Sequence, residues 1–291
     1  MASVVLSSGE KTFILHGIDA DFRVDGRHRY EYRSMEIETR IMPQTHGSAR
    51  LRIGKSDVLA TVKFELDTPH ADSPHDGKLE FFVDCCANAT PEFEGKGGDE
   101  LAMEISNILT LAYKTSDAFD LKDLCILPQK KCWKVYVDIL VLQCGGNLFD
   151  AVAVAVKAAL HSTEYPKVTA ATLDGGEADI QLSDDVHDCK RLDVTNHPLI
   201  ISLCKIGENF IVDPNLEEEI CSTANVVMSV LPNGKVSAVT KLGYGSLQPV
   251  TLFKMLKVGQ RVALSLNEAV LGALTQEDQY DRRRGISGFL K

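Results

Sequence analysis

The stretch Val141-Leu142-Gln143-Cys144-Gly145-Gly146-Asn147-Leu148-Phe149-Asp150-Ala151 constrains this chain more than any other. Residues 133–142 form an apolar run that predicts a strand covered on both faces. Residues 151–160 are rich in alanine and valine and predict a helix, with the Gly145-Gly146 pair as the turn between. A strand, a glycine turn and a helix N-terminus together make a phosphate cradle, because free backbone N–H groups and the helix dipole converge there. Yet the turn carries no Arg, Lys, Ser or Thr, and its tip is Leu148-Phe149-Asp150. The scaffold of an anion site is present without its chemistry.

The chain of 291 residues can bury a core as one large domain or two small ones. No apolar run reaches the roughly 18 residues of a membrane helix, and the first residues lack the basic region and long apolar core of a signal peptide. The eight cysteines are scattered, several within apolar runs (Cys125, Cys132, Cys144, Cys204), so reduced thiols in a cytosolic or nuclear protein are expected. The net charge of −10 argues against a chain that grips nucleic acid alone, since phosphate neutralisation supplies most non-specific affinity. Composition favours a protein-binding role.

Along the chain, residues 8–18 predict a short helix before the polar turn at 21–27. Strands follow at 35–41, 49–53, 58–66 and 79–83; in the second, Ala49, Leu51 and Ile53 alternate with Arg50 and Arg52. Asp99 is the expected N-cap of a helix to about Tyr113. Residues 173–194 are polar and read as an irregular connection. Strands then return at 199–205 and 209–212, with a helix at 216–224. Asn233-Gly234 predicts a hairpin turn between 226–231 and 235–241. A long amphipathic helix at 248–274 closes the fold, and residues 277–291 read as a mobile tail with the basic cluster Arg282-Arg283-Arg284. The order of strands and then a helix occurs twice, which predicts an α+β protein with two mixed sheets and helices packed on them.

The cysteines offer no zinc site: no C-x-x-C occurs, and His161, His187 and His197 lack ligand spacing. Gly95, Gly97 and Gly98 lack the Lys-Ser/Thr ending of a phosphate loop and read as a solvent loop. No cofactor is called for. Asp213 ends a strand and Glu219 follows one helical turn into Pro214-Asn215-Leu216-Glu217-Glu218-Glu219. Such a pair has two readings, a Mg²⁺ site for phosphoryl transfer or acidic capping of a helix opened by Pro214. Arg50 and Arg52 share a strand face and suit an RNA path, an interface or plain solvation.

The combination of Arg23-Val24-Asp25-Gly26-Arg27, Gly47-Ser48-Ala49, the 133–142 strand with its Gly145-Gly146 turn and Asp150-Ala151 helix start, and Ile211-Val212-Asp213-Pro214 resembles the RNase PH family. The resemblance spans roughly residues 22–274, and divides the chain into a first half at 22–172 and a second at 195–276, joined by the polar connection and preceded by the segment 1–21. The stretch from Glu80-Phe81-Phe82-Val83-Asp84-Cys85 to Thr90-Pro91-Glu92-Phe93-Glu94-Gly95 is similar to a ring subunit of the eukaryotic RNA exosome. The resemblance implies a hetero-hexameric ring of related subunits around an RNA channel, cap subunits and an associated nuclease as partners, and a place in nucleus, nucleolus and cytoplasm. It also implies a role in 3′-to-5′ RNA processing and degradation, including rRNA maturation and mRNA turnover.

Departures from the family pattern point to a non-catalytic subunit. Active members carry a Gly-Thr-Arg type sequence at the turn, where this chain has Asn147, Leu148 and Phe149. An apolar ring cannot replace a guanidinium as a bidentate phosphate ligand. Where active members carry an arginine-rich RNA loop, this chain has Phe93, Glu94, Asp99 and Glu100. Asp213 and Glu219 remain as vestigial carboxylates. The alternative is a phosphate-dependent exoribonuclease, alone or through a composite site completed by a partner subunit.

Overall fold

Ser7 and Glu10 start the first helix through a reciprocal capping box. The Glu10 backbone N–H donates to Ser7 Oγ at 3.3 Å, and the Ser7 N–H to Glu10 Oε2 at 2.7 Å. This helix, α1 (Ser8–Asp19), buries Ile14 and Ile18 in a small cluster with Cys204, Ile206 and Ile211. The structure, a computed structural model, describes residues 6–115, 117–172, 178–182 and 188–283. Part of the polar connection, His187 and the end of the tail with Arg284 lie outside the described residues.

Three strands follow in an antiparallel meander: β1 (Met35–Thr39), β2 (Gly47–Ile53) and β3 (Ser56–Asp67). Ala49, Leu51 and Ile53 are fully buried, as their alternation predicts. β4 (Lys78–Cys85) leads through a 3-10 turn at Pro91–Phe93 to α2 (Asp99–Tyr113). The N-cap of α2 is Gly98 rather than Asp99. Asp99 and Glu100 instead place negative charge in the first turn, where the dipole favours it. β5 (Cys125–Leu127) and β6 (Lys131–Gln143) complete the first sheet, ordered β1-β2-β3-β6-β4 with β5 also on β6. Among the described strands of this sheet, only β4 runs parallel to its neighbour, β6. The predicted two-sided cover of β6 is incomplete: alternate residues are buried, while those between are half-buried.

The next helix, α3 (Leu148–His161), begins earlier than predicted and is buried from Asp150 to Leu160 on every side. It lies on β2 and β3 of the first sheet and meets the second sheet from its other side, which explains its run of small side chains. Two short ribbons follow, β7 (Glu164–Pro166) with β10 (Cys189–Arg191), and β8 (Val168–Thr172) with β9 (Ala178–Leu182). The connection predicted as irregular therefore contains β9 and β10. The alternation of Ala178, Ile180 and Leu182 was the signal for β9, obscured by polar neighbours.

The second sheet is ordered β12-β11-β13-β14, with β11 (Leu199–Ile206), β12 (Asn209–Val212), β13 (Ala224–Val230) and β14 (Val236–Leu242), all antiparallel. A short helix, α4 (Leu216–Cys221), links β12 to β13. The Asn233-Gly234 turn forms as predicted, with Gly234 at φ +81° and the Leu231 N–H donating to Lys235 O at 2.8 Å. The last helix, α5 (Pro249–Arg283), runs past Leu274, so the segment 277–283 is helical rather than a mobile tail. No Gly or Pro interrupts 275–283, and two carboxylates tie it down. Glu277 Oε1 accepts the Thr39 N–H at 2.6 Å and Asp278 pairs with Arg191 at 2.8 Å. No described helix is long and apolar enough to cross a membrane.

Two glycines of α5 give opposed predictions. A Cβ at Gly272 would meet nothing within 4 Å, so Gly272→Ala should stabilise the fold by about 0.5–1 kcal/mol. A Cβ at Gly259 would lie 2.3 Å from Met228 Sδ and 2.8 Å from Leu203 Cδ1, so Gly259→Ala should cost about 1–3 kcal/mol. Urea denaturation of the two variants checks both signs.

Candidate functional site

The Gly145-Gly146 turn is shaped by close packing on both sides. A Cβ at Gly145 would lie 2.5 Å from Lys55 Cβ, and one at Gly146 would lie 2.6 Å from Asn215 C and Leu216 N. Gly146 also sits at φ +91°, a conformation side chains resist. The turn is thus wedged between the β2–β3 connection and the start of α4. Asn147 follows at φ +54°, a left-handed conformation that Asn tolerates. Its side chain is buried: Nδ2 donates to Asp213 Oδ1 at 2.8 Å, and Oδ1 accepts from Ser202 Oγ. Its backbone N–H donates to Glu219 Oε1 at 2.7 Å. The amide that opens the predicted anion cradle therefore already holds a carboxylate of the same chain.

Asp213, itself at φ +47° and fully buried, accepts five hydrogen bonds. Arg33 gives three, from its backbone N–H (2.8 Å), Nε (2.9 Å) and Nη2 (2.7 Å). Arg27 Nη1 gives one at 3.0 Å and Asn147 the fifth. Burial alone would raise the Asp213 carboxyl, but the Arg33 guanidinium and its hydrogen bonds hold it below the usual range. Arg33 also donates to the carbonyls of Gly145 (2.8 Å) and Gly146 (3.1 Å), so one side chain fixes the turn and the acid together.

Next to it, the fully buried Arg23 forks onto Glu218, with Nε to Oε1 at 2.8 Å and Nη2 to Oε2. Arg23 further donates to the carbonyls of Val212 (3.0 Å) and Asp213 (2.8 Å). Glu218 closes a capping box on Asn215, the N-cap of α4; Pro214 precedes the helix and does not open it. Asp213 and Glu219 are therefore not arranged as a cation-binding pair: a metal at Asp213 would have to displace two guanidinium groups. Among the described residues, no three His, Cys, Asp or Glu side chains gather as metal ligands.

A second buried acid was missed from sequence. Asp150 accepts from Tyr32 Oη at 2.6 Å and from the Ser202 N–H at 2.7 Å, and burial lifts its carboxyl to about 7. Burial likewise lifts Glu219 to about 7, opposed by the Asn147 N–H and Arg33, and assisted by Asp213 and Asp150. The sequence signals were present for Arg23, Arg27 and Glu218, two arginines in the polar turn and an Asn-x-x-Glu capping pattern, but nothing in spacing joined them across the chain.

At the N-terminus of α3 lies a cleft of about 250 Å³. Phe149 and Leu148 line it with Phe93, Leu101, Leu216 and Ile220, and its polar lining is Thr90, Glu92, Cys144, Glu219 and Asn225. Among the described residues, no arginine or lysine lines it. The four residues at the expected RNA loop divide: Phe93 is buried in the core, while Glu94, Asp99 and Glu100 are exposed. Arg50 and Arg52 both turn to Asp57, at 2.6 Å and 3.5 Å. Cys132 and Cys204 are buried, whereas Cys125 and Cys144 are partly exposed.

Removing Asp213 would leave two guanidinium groups without their anion, so Asp213→Ala should cost about 3–5 kcal/mol, measured by urea denaturation. The pH dependence has two opposite parts. The lowered Asp213 contributes stability above its ordinary value of 3.8 that is lost as pH falls further. Glu219, raised from 4.5 to about 7, is most favourable below pH 4.5 and loses that contribution as pH rises through 7. Glu219→Gln should flatten this upper decline by roughly 2 kcal/mol, leaving a residual slope of the same sign from Asp150.

Two family descriptions match the two halves of the chain: 3′ exoribonuclease family domain 1 over residues 31–166, and domain 2 over residues 196–262. A Dictyostelium discoideum protein named putative exosome complex exonuclease RRP42 is 31% identical, over 90% of this chain and 95% of the relative. An exosome complex component Rrp42 from Methanopyrus kandleri is 34% identical, over 78% and 83%. In structure, a chain of the Archaeoglobus fulgidus exosome with RNA bound to the active site superposes at a TM-score of 0.79 with 27% identity, covering 89% of this chain and 97% of that one. The two sheets packed about α3, and the helix start at the glycine turn, thus place the chain in the RNase PH family of 3′ exoribonucleases.

Proposed function

We propose that this chain is a non-catalytic ring subunit of an RNA exosome core that supports 3′-to-5′ RNA processing by building the channel rather than by cutting. Its Rrp42 relatives and its exosome neighbours support the assembly. The lack of catalysis is carried by one observation: the cleft at the α3 N-terminus offers Glu92 and Glu219 where an attacking phosphate needs a cation. The Glu92 carboxylate, and Glu219 in its ionised form, repel phosphate, apolar walls strengthen that repulsion, and the Asn147 N–H is already committed to Glu219. The net charge of −10 suits a subunit whose neighbours supply the phosphate contacts. The partners in this reading are the related ring subunits, cap subunits, an associated nuclease and RNA. Its setting is nucleus, nucleolus and cytoplasm, with rRNA maturation and mRNA turnover as the work served.

Native mass spectrometry of complexes purified through a tag on this chain should give a stoichiometric assembly with five related subunits; a lone chain or homo-oligomer would refute the assembly. Catalysis is tested on the purified pair of this chain and its ring neighbour, with 3′-labelled RNA and inorganic phosphate. Asp213→Asn, which keeps acceptor and shape better than Asp213→Ala, should leave any release of nucleoside diphosphates unchanged. Loss of release in that variant, with the pair still intact, would establish a composite active site instead.

A further inference from the structure

The cleft at the start of α3 is poor in donors but rich in acceptors. Glu219 spends Oε1 on the Asn147 N–H, and Oε2 takes no hydrogen bond among the described residues. Asn225, on β13, contributes a buried Oδ1 that has no hydrogen-bond partner. Glu92, from the 3-10 turn before α2, adds a second, exposed carboxylate. Cys144 lines the same cleft; burial raises its thiol, a Gly146 backbone hydrogen bond opposes that, and the charges of Glu219 and Glu92 raise it further. A buried unpaired acceptor is costly, and each such group in a folded protein asks for a partner.

The remaining walls narrow the partner. Leu101, Leu148, Leu216 and Ile220 give an apolar sleeve, and the half-buried ring of Phe149 borders it. The volume of about 250 Å³ falls below the ~300 Å³ at which small-molecule pockets begin, and accepts one long side chain more readily than a nucleotide. Of the two long cationic side chains, lysine brings a compact, strongly hydrated charge. Arginine brings a flat fork of five donors that can meet two carboxylates and an amide oxygen at once, and a face that stacks on an aromatic ring. An apolar stem for the sleeve and a planar cation for the mouth describe one residue.

We propose that this cleft is a receptor for an arginine side chain from a neighbouring protein, with the guanidinium held by Glu92, Glu219 and Asn225 beside Phe149. The inference rests on the reading of the cleft as unable to hold phosphate. It assigns the cleft a use: a socket by which the subunit fixes a partner segment.

The test titrates the full chain with acetyl-arginine amide, acetyl-citrulline amide and inorganic phosphate, reading the methyl resonances of Leu101, Leu148, Leu216 and Ile220. Arginine should give saturable shifts at these methyls, and citrulline, equal in shape but uncharged, should give none. Glu92→Gln, at an exposed position that the fold does not depend on, should weaken arginine binding about tenfold. Equal shifts from arginine and citrulline, or none from either, would overturn the socket and leave the non-catalytic reading standing. Saturable shifts from phosphate at the same methyls would overturn both.

Discussion

A carboxylate can be buried only if its lone pairs are filled, and Asp213 is buried completely. Its five donors come from two separated parts of the chain, the segment before β1 and the start of α3, while Asp213 itself lies in a third, the connection between β12 and α4. Those parts belong to both halves of the fold, so the ionic cluster closes the seam that α3 spans. Arg23 and Glu218 repeat the arrangement one step along, again with one partner from each half. Such pairs do not make a core more stable than apolar packing would, since the desolvation cost is large. What they impose is geometry: a guanidinium fork admits one docking of the second half on the first.

The same geometry decides what the glycine turn can do. Arg33 holds the two glycine carbonyls, Ser56 Oγ donates to Gly146 O at 2.7 Å, and Asn147 is locked between Asp213 and Ser202. The turn is rigid, and the first amide after the glycines points at Glu219. In a phosphate-binding cradle that amide and the helix dipole would wait for a ligand. Here an intramolecular carboxylate takes part of that role, in a mouth walled by Phe149.

Much of this was legible in the residues, and for identifiable reasons. The strand–turn–helix at 133–160, the Asn-Gly hairpin and the alternation of β2 are local patterns, and local patterns survive into the fold because nearby residues enforce them. The fate of Asp213 and Glu219 was only half legible. Their place at a strand end and on the helix after it could be read, but Asp213 faces a guanidinium 180 positions away and Glu219 an amide 72 positions away. Arg27 and Arg33 carried no mark that tied them to Asp213 rather than to solvent. Asp150 read as an ordinary helix-start acid and is instead a buried group shared by Tyr32 and Ser202. The helical 277–283 segment was lost for the opposite reason: its polar sequence has no apolar stripe, and Glu277 and Asp278 anchor it by polar contacts that periodicity does not register.

The absence of a phosphate grip is accordingly more than one substituted arginine. A guanidinium placed at Phe149 would lie beside Glu219 and Glu92, and an ion pair with either would consume its donors before an anion arrived. Removing Glu219 as well would free the Asn147 N–H, but the turn would still lack a hydroxyl or a second cation, and Asp213 would still be bound to Arg33 and Arg27. Three features oppose an anion: the lining carboxylates, the amide that one of them occupies, and the committed arginines. Two of them also serve the fold, the occupied amide at the α3 N-terminus and the arginines at the seam. A cleft whose charge reversal is built into the packing has a preferred ligand sign, and that sign is positive.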